Sequence, residues 1–204
     1  MKLHQIPGSP FVRLVKATAY VKGLTERLEL INRTDAGIQG HNPLNKVPTL
    51  VTDDGETLIE SRLIAQYLDE IGGGKLLYPS DSKKRRGVLQ REAMVLGILD
   101  AAVARKLERR RPESQQSEPW DERQKLKTDH GLDLIESQFA LFTDASTIVP
   151  IELGCLLGYL DRDLPDYDWR KGRTQLAHWW ESYKSCPAME KTYAPSGQSA
   201  GINK

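Results

Sequence analysis

Asn42-Pro43-Leu44-Asn45-Lys46-Val47-Pro48-Thr49-Leu50-Val51, with Asp53-Asp54-Gly55 and Glu60-Ser61 close behind, reads as a loop, a strand entered through proline, a hairpin and a helix start. The Asp-Asp-Gly turn signal lies between two β-prone runs, residues 49–52 and 57–59, and predicts the hairpin. Pro48 lacks an amide hydrogen and holds the residue before it extended. The Val47 backbone is therefore suited to pair with an extended peptide as if with one more strand. Glu60 and Ser61 open a helix whose unpaired first amides attract a carboxylate. A peptide-pairing edge beside an anion pocket points to a short, negatively charged peptide.

Outward from this stretch, residues 2–6 read as a strand broken by Pro7-Gly8. Residues 10–22 read as a helix with Ser9 as N-cap, Pro10 in the first turn and Gly23 at its end. Residues 28–31 make a second strand, 34–40 an irregular or briefly helical link, and 60–71 a helix closed by Gly72-Gly73-Gly74. This β-α-β, then β-β-α order is the one a thioredoxin-like domain requires.

From residue 83 the signal is helical. Leu89, Ala93, Leu96, Leu99, Val103 and Leu107 step by three or four along one long helix, which Pro112 and the polar stretch 113–119 stop. Leu132, Ile135, Phe139 and Phe142 repeat the pattern on a second. Residues 151–160 are apolar nearly all round and predict a central buried helix, where Gly154 and Gly158 would admit a close neighbour. Leu176, Trp179, Trp180 and Tyr183 mark a further helix ending before Pro187, and the small, polar residues from Ala194 read as a loose tail.

A chain of 204 residues with net charge +1 buries a substantial core and sets up no global field for nucleic acid or an anionic membrane. No apolar run approaches the ~18 residues of a bilayer span. Met1-Lys2 leads straight into a strand-like segment, so a secretory signal is not expected. Cys155 and Cys186 lack paired spacing and are expected as reduced thiols of a cytoplasmic protein. Residues 83–111 hold ten Lys/Arg against Glu92, Asp100 and Glu108. They read first as a solvated helix face and second as a basic wall favouring anionic ligands. Without interleaved aromatics they do not read as a nucleic-acid surface.

Residues 42–51 with Glu60-Ser61, taken with Ser9-Pro10-Phe11-Val12-Arg13, resemble the cytosolic glutathione S-transferase family, in particular bacterial members with serine or threonine at the reacting position. Leu153-Gly154-Cys155-Leu156-Leu157-Gly158-Tyr159-Leu160-Asp161 looks like a helix of the same family and extends the likeness over nearly the whole chain. The resemblance implies an α+β fold with a thioredoxin-like domain at 1–78 and an all-α domain at 83–204. It also implies a cis Val47-Pro48 bond, a homodimer, and a cytoplasmic detoxification enzyme that takes glutathione as co-substrate and needs no metal. Ser9 would stabilise the glutathione thiolate, and Phe11 would flank the sulfur. The Val47 backbone would pair with the cysteinyl unit. Glu60 would face the γ-glutamyl ammonium, Ser61 its α-carboxylate, and Lys46 the glycyl carboxylate. The resemblance further implies a small, mostly apolar electrophile as the partner.

Two departures stand out. Ile6-Pro7-Gly8 replaces the aromatic residue that often precedes the Ser-Pro pair, and Val149-Pro150 takes the place of the aspartate that often caps the buried helix. Dithiol redox chemistry has no Cys-x-x-Cys to run on, and His4, His41, His130 and His178 lack metal-site spacing. Gly8-Ser9-Pro10 is not the Gly-x-Ser-x-Gly elbow of a hydrolase. Three readings remain open: a transferase, a glutathione-dependent peroxidase or disulfide reductase, and a non-catalytic binding or scaffold protein. Ser9 as a simple helix cap belongs with the last.

Overall fold

The computed structural model describes residues 1–33 and 35–194. Thr34 and the tail beyond Ala194 lie outside the described residues. The chain divides into two compact units, Met1–Tyr78 together with the segment from Pro187, and Pro79–Cys186.

The first unit is built on strands β1 (Lys2–Gln5), β2 (Glu29–Asn32), β3 (Thr49–Val51) and β4 (Thr57–Ile59), in the order β2-β1-β3-β4. β1 and β2 are parallel; β1–β3 and β3–β4 are antiparallel. Helices α1 (Pro10–Val21) and α3 (Ser61–Ile71) pack on each other, and α2 (Asp35–Gln39) links β2 to the loop before β3. The register aligns Leu3 with Leu50 and Leu50 with Leu58, a row of leucines across three strands. Val12, Val15, Ala19, Ile64 and Leu68 from the two helices complete that core. Strand side chains alternate faces, so His4 and Thr49, paired in register, belong to the opposite face.

Local sequence explains the element ends. Pro10 opens α1 without needing an amide partner, and Gly23, at φ 70°, closes it in the left-handed region. The hairpin turns at Gly55 (φ 90°), with the Thr52 amide donating to the Glu56 carbonyl at 2.9 Å. Gly72 serves more than a turn. A Cβ there would lie 2.6 Å from Cβ of Lys22, so its lack of a side chain lets α3 end against the Lys22 stem. Lys22 in turn pairs with Asp69 at 2.9 Å, both side chains nearly fully buried. Asp69 also accepts the Leu77 and Tyr78 amides at 2.9–3.0 Å.

The expected second domain, 83–204, differs from the second unit at its C-terminal end, because helix α9 (Pro187–Lys191) packs on α1 in the first unit. The physical reason is Arg13. Its Nη2 donates to the Met189 carbonyl at 2.9 Å and its Nε to Thr192 Oγ1 at 3.4 Å.

The second unit holds α4 (Ser82–Arg109), α5 (Glu118–Ser137), α6 (Phe139–Phe142), α7 (Val149–Asp163) and α8 (Thr174–Tyr183), with α4 packed against α5 and α7. Every residue of α7 from Val149 to Leu160 is buried, as its apolar run predicts. The buried face of α4 is rotated from the expected stripe. It runs through Val88, Glu92, Val95, Leu99, Ala102 and Arg105, while Ala93 and Leu107 are exposed. Counting apolar letters misses buried charges whose partners come from elsewhere. Arg105 meets Asp121, Lys106 pairs with Asp163, and Arg109 pairs with Asp121 and Asp166. The C-terminal half of the basic run is thus an ion-pair layer more than a solvated face.

At the start of α7 no side chain caps the helix, and the Thr147 hydroxyl donates instead to the Asp144 carbonyl. Proline in the first turn leaves one amide fewer to satisfy. Near the other end of α7, Asp161 gathers Trp169 Nε1 (2.7 Å), Trp180 Nε1 (2.7 Å) and both terminal nitrogens of Arg170 (2.6 and 2.8 Å). Burial alone would raise this carboxyl, but those donors outweigh it and hold Asp161 below the ordinary carboxylate range.

Candidate functional site

The sheet register brings the predicted site residues to one end of the first unit. His4 pairs with Thr49, and Thr49 with Ile59. The end of β1, the start of β3 and the end of β4 are therefore neighbours. The chain leaves β1 toward Ser9, enters β3 through Val47-Pro48 and leaves β4 into Glu60-Ser61. Both long helices of the unit, α1 and α3, begin at this end, so their unpaired amides and positive dipole ends meet there.

Ser9 is the N-cap of α1, and its Oγ accepts the Val12 amide at 3.4 Å. The helix-cap reading is therefore correct as far as it goes, but a hydroxyl has a hydrogen to give as well as lone pairs to receive. With Val12 on the accepting side, the Ser9 O–H is left to donate. Phe11 follows in the first turn, half-buried.

The Val47-Pro48 bond is cis, as the resemblance implied. The Val47 side chain packs against the leucine-rich core. Its amide and carbonyl have no hydrogen-bond partner among the described residues. The reason lies opposite: β4 stops at Ile59, where Glu60 takes φ 76° and turns the chain away. A non-glycine residue in that region carries strain of about 1–3 kcal/mol and persists only where its surroundings enforce it. Glu60 is exposed and makes no side-chain cap, while Ser61, the first residue of α3, is buried.

The loop before Val47 is held by Asn42, which sequence reasoning quoted as part of the motif without giving it a task. Asn42 is buried; its Nδ2 donates to the Lys46 carbonyl and to Thr49 Oγ1, both at 3.0 Å, and its Oδ1 accepts the Leu44 amide at 3.0 Å. The Thr49 hydroxyl donates to the same Lys46 carbonyl at 2.9 Å. Lys46 thus has a fixed backbone and an exposed side chain. An asparagine before proline with a threonine after the strand entry is the signal that points to this tether.

Beneath the loop, buried His4 lies 5.2 Å, ring to ring, from exposed His41. Burial first, then His41 and Lys2, lower the His4 pKa, which favours the neutral imidazole. Arg13 does not join the group: its guanidinium is committed to Met189 and Thr192. Cys155 is buried and Cys186 half-buried, and neither is in a disulfide. Among the described residues no group of three or more His, Cys, Asp or Glu is arranged to hold a metal ion, and no helix is long and apolar enough to cross a membrane.

Comparisons with known proteins identify the family and the fold. The family described as "Glutathione S-transferase, N-terminal domain" matches residues 3–75. YibF of Escherichia coli strain K12, an uncharacterized GST-like protein, is 34% identical over 200 residues, covering 96% of this chain and 99% of its own. A glutathione transferase family member of Pseudomonas fluorescens Pf-5, solved with bound glutathione, shares 34% identity with a TM-score of 0.91, over 95% of this chain and 98% of that one. A second structure of a Pseudomonas fluorescens Pf-5 family member, at 33% identity and a TM-score of 0.88 over 96% and 100% of the two chains, holds S-(propanoic acid)-glutathione. The four-stranded sheet with its helical second unit is the glutathione S-transferase fold, and the chain belongs to the glutathione S-transferase family.

Proposed function

We propose that this protein is a glutathione transferase that holds glutathione at the Ser9, Val47 and Glu60-Ser61 end of the sheet and presents its sulfur as a thiolate. The observation that carries this reading is the convergence of two helix N-termini on an unpartnered Val47 backbone. The cysteinyl unit pairs with the Val47 amide and carbonyl. Ser61 and the α3 amides receive the γ-glutamyl carboxylate, Glu60 faces the ammonium, and Lys46 draws the glycyl carboxylate. Phe11 flanks the sulfur.

Ser9 then acts as a donor. A free thiol with a pKa of ~8.5 is only a few per cent thiolate at pH 7. Bringing it to ~6.5 takes about 2.7 kcal/mol of preferential thiolate stabilisation. A helix N-terminus contributes roughly 0.3–2 kcal/mol, and a hydroxyl donating to an anion about 1.5–3 kcal/mol. Together the two terms suffice, and no base is needed to deprotonate Ser9. The thiolate attacks an electrophilic, mostly apolar molecule: a carbon–sulfur bond forms while a leaving group departs with its electron pair or the adduct takes up a proton. That a Pseudomonas relative holds a glutathione with propanoic acid on its sulfur supports a site with room beyond the thiol.

The test is the ultraviolet thiolate absorbance of glutathione titrated with pH at saturating protein. The wild-type chain should lower the thiol pKa. Ser9→Ala should bind glutathione with nearly unchanged affinity and return most of that shift. Equal thiolate in the variant removes Ser9 from the mechanism, and binding without any shift turns the reading to a non-catalytic glutathione-binding protein. A twofold assembly of the chain belongs to the same proposal, and a monomer at micromolar concentration in sedimentation would remove it.

A further inference from the structure

The first unit brings together two histidines that the sequence keeps apart. His4 lies in β1 and His41 in the loop that follows α2, and their rings stand 5.2 Å apart, centre to centre, tilted by 40°. Their separation along the chain carries no metal motif; only the fold pairs them. His4 is 6% exposed, and its Nε2 is buried without a hydrogen-bond partner among the described residues. Such an atom calls for an explanation, since nearly all buried polar atoms are paired. His41 is exposed, so the pair can be reached from solvent.

The spacing of the rings fits a shared metal ion. With Zn–N bonds of about 2.0–2.1 Å, each ring centre lies about 3.2 Å from a bound ion. Two imidazoles at the tetrahedral angle then have centres about 5.2 Å apart, against about 4.5 Å for neighbouring ligands of a square-planar ion. The observed distance is the tetrahedral one. Two protonated imidazoles at this distance repel each other, whereas an ion held between them takes both as neutral ligands. The exposed Lys2 also acts on His4, a repulsion that solvent screens. The backbone under His41 is fixed: the amides of His41 and Asn42 both donate to the Ile38 carbonyl, at 2.9 and 2.7 Å.

We propose that His4 and His41 form a two-histidine site for a tetrahedral divalent cation of the zinc class, with water completing the coordination. His4 ligates through Nε2. Two protein ligands make this an open, exchangeable site, unlike the closed four-ligand sites that hold zinc modules together. The ion ties β1 to the loop that the Asn42 hydrogen bonds shape. That loop carries Lys46 and Val47, so the ion stiffens the edge assigned above to glutathione, while the site itself does not depend on that assignment.

The probe is Zn²⁺ alone, titrated by calorimetry into the untagged full chain without glutathione, whose thiol would itself take up the metal. One site per chain is expected, and Co²⁺ in place of Zn²⁺ should give the intense visible absorption of a four-coordinate ion. His41→Ala, at an exposed position, should weaken binding at least about tenfold, because losing even an outer-shell partner costs about 10–100-fold. His4→Gln should do the same, and Cys186→Ser should leave binding unchanged. Hydrogen exchange at the amides of residues 42–47 should slow when Zn²⁺ is added to the wild-type chain and not when it is added to His41→Ala. Binding that survives His41→Ala, that disappears with Cys186→Ser, or that leaves exchange in this loop unchanged would mark an adventitious ion only and overturn the proposal.

Discussion

Replacing Asp69 by asparagine tests the most concentrated electrostatic contact in the first unit. The Asp69 carboxylate receives the Leu77 and Tyr78 amides at 2.9–3.0 Å and pairs with Lys22 at 2.9 Å, with side-chain exposures of 1% for Lys22 and 2% for Asp69. Asparagine keeps the shape but turns one acceptor into a donor and leaves the Lys22 charge with neutral acceptors alone, the Lys75 carbonyl at 3.1 Å among them. An uncompensated buried charge costs about 3–5 kcal/mol. For a chain of this length that corresponds to a fall in Tm of roughly 6–20 °C. The assay needs care, because Trp120, Trp169, Trp179 and Trp180 all lie in the second unit and tryptophan fluorescence would follow that unit. Differential calorimetry with far-ultraviolet circular dichroism reads both. Adding Lys22→Met to Asp69→Asn removes the stranded charge and should recover at least ~1 kcal/mol. A loss below ~1 kcal/mol in the single variant, or no recovery in the double, would refute the buried-pair account.

Other consequences are open to simpler tests. The His4 pKa is lowered in the fold, so the unfolded chain binds its proton more readily; stability should be fully present above about pH 6.5 and fall as pH drops toward the depressed value. His4→Gln should flatten that dependence in denaturant titrations, and an unchanged slope would exclude buried His4 as its source. Asp161→Asn should weaken its contacts to Trp169 and Trp180 and shift tryptophan emission, with a stability loss of about 1–3 kcal/mol; wild-type emission would count against the shared acceptor. Gly131→Ala puts a Cβ 2.4 Å from Ile98 Cγ1 between α4 and α5, and overpacking of this kind costs about 1–3 kcal/mol in chemical unfolding.

The parts of the fold legible in the sequence are those with local causes. Ser9-Pro10, Asp53-Asp54-Gly55 and Gly23 each impose a conformation on their own residues, and the elements begin or end where they stand. The cis bond at Val47-Pro48 came from family resemblance, since local chemistry favours trans. What stayed hidden depends on partners far along the chain. Glu60's left-handed backbone has no residue-type signature, because glutamate is a poor occupant of that region. Glu92 and Arg105 broke the apolar periodicity of α4 while lying on its buried face. Asp69 looks like any helix-surface acid until Lys22 and the Leu77-Tyr78 backbone close around it. The candidate site was legible residue by residue. Its convergence became visible only through the strand register, which no single motif encodes.

The clasp between Arg13 and the segment around Met189 has a consequence for the order in which the chain is made. Arg13 leaves the ribosome early, yet its hydrogen-bond partners are synthesised about 180 residues later, after the whole second unit. Until then its guanidinium must stay solvated, and the α1 face that α9 covers remains open. The first unit is therefore begun first and finished last. A chain cut short after Cys186 and released would carry the whole second unit but a first unit still missing its closing helix, which chaperones and proteases would be able to read as unfinished.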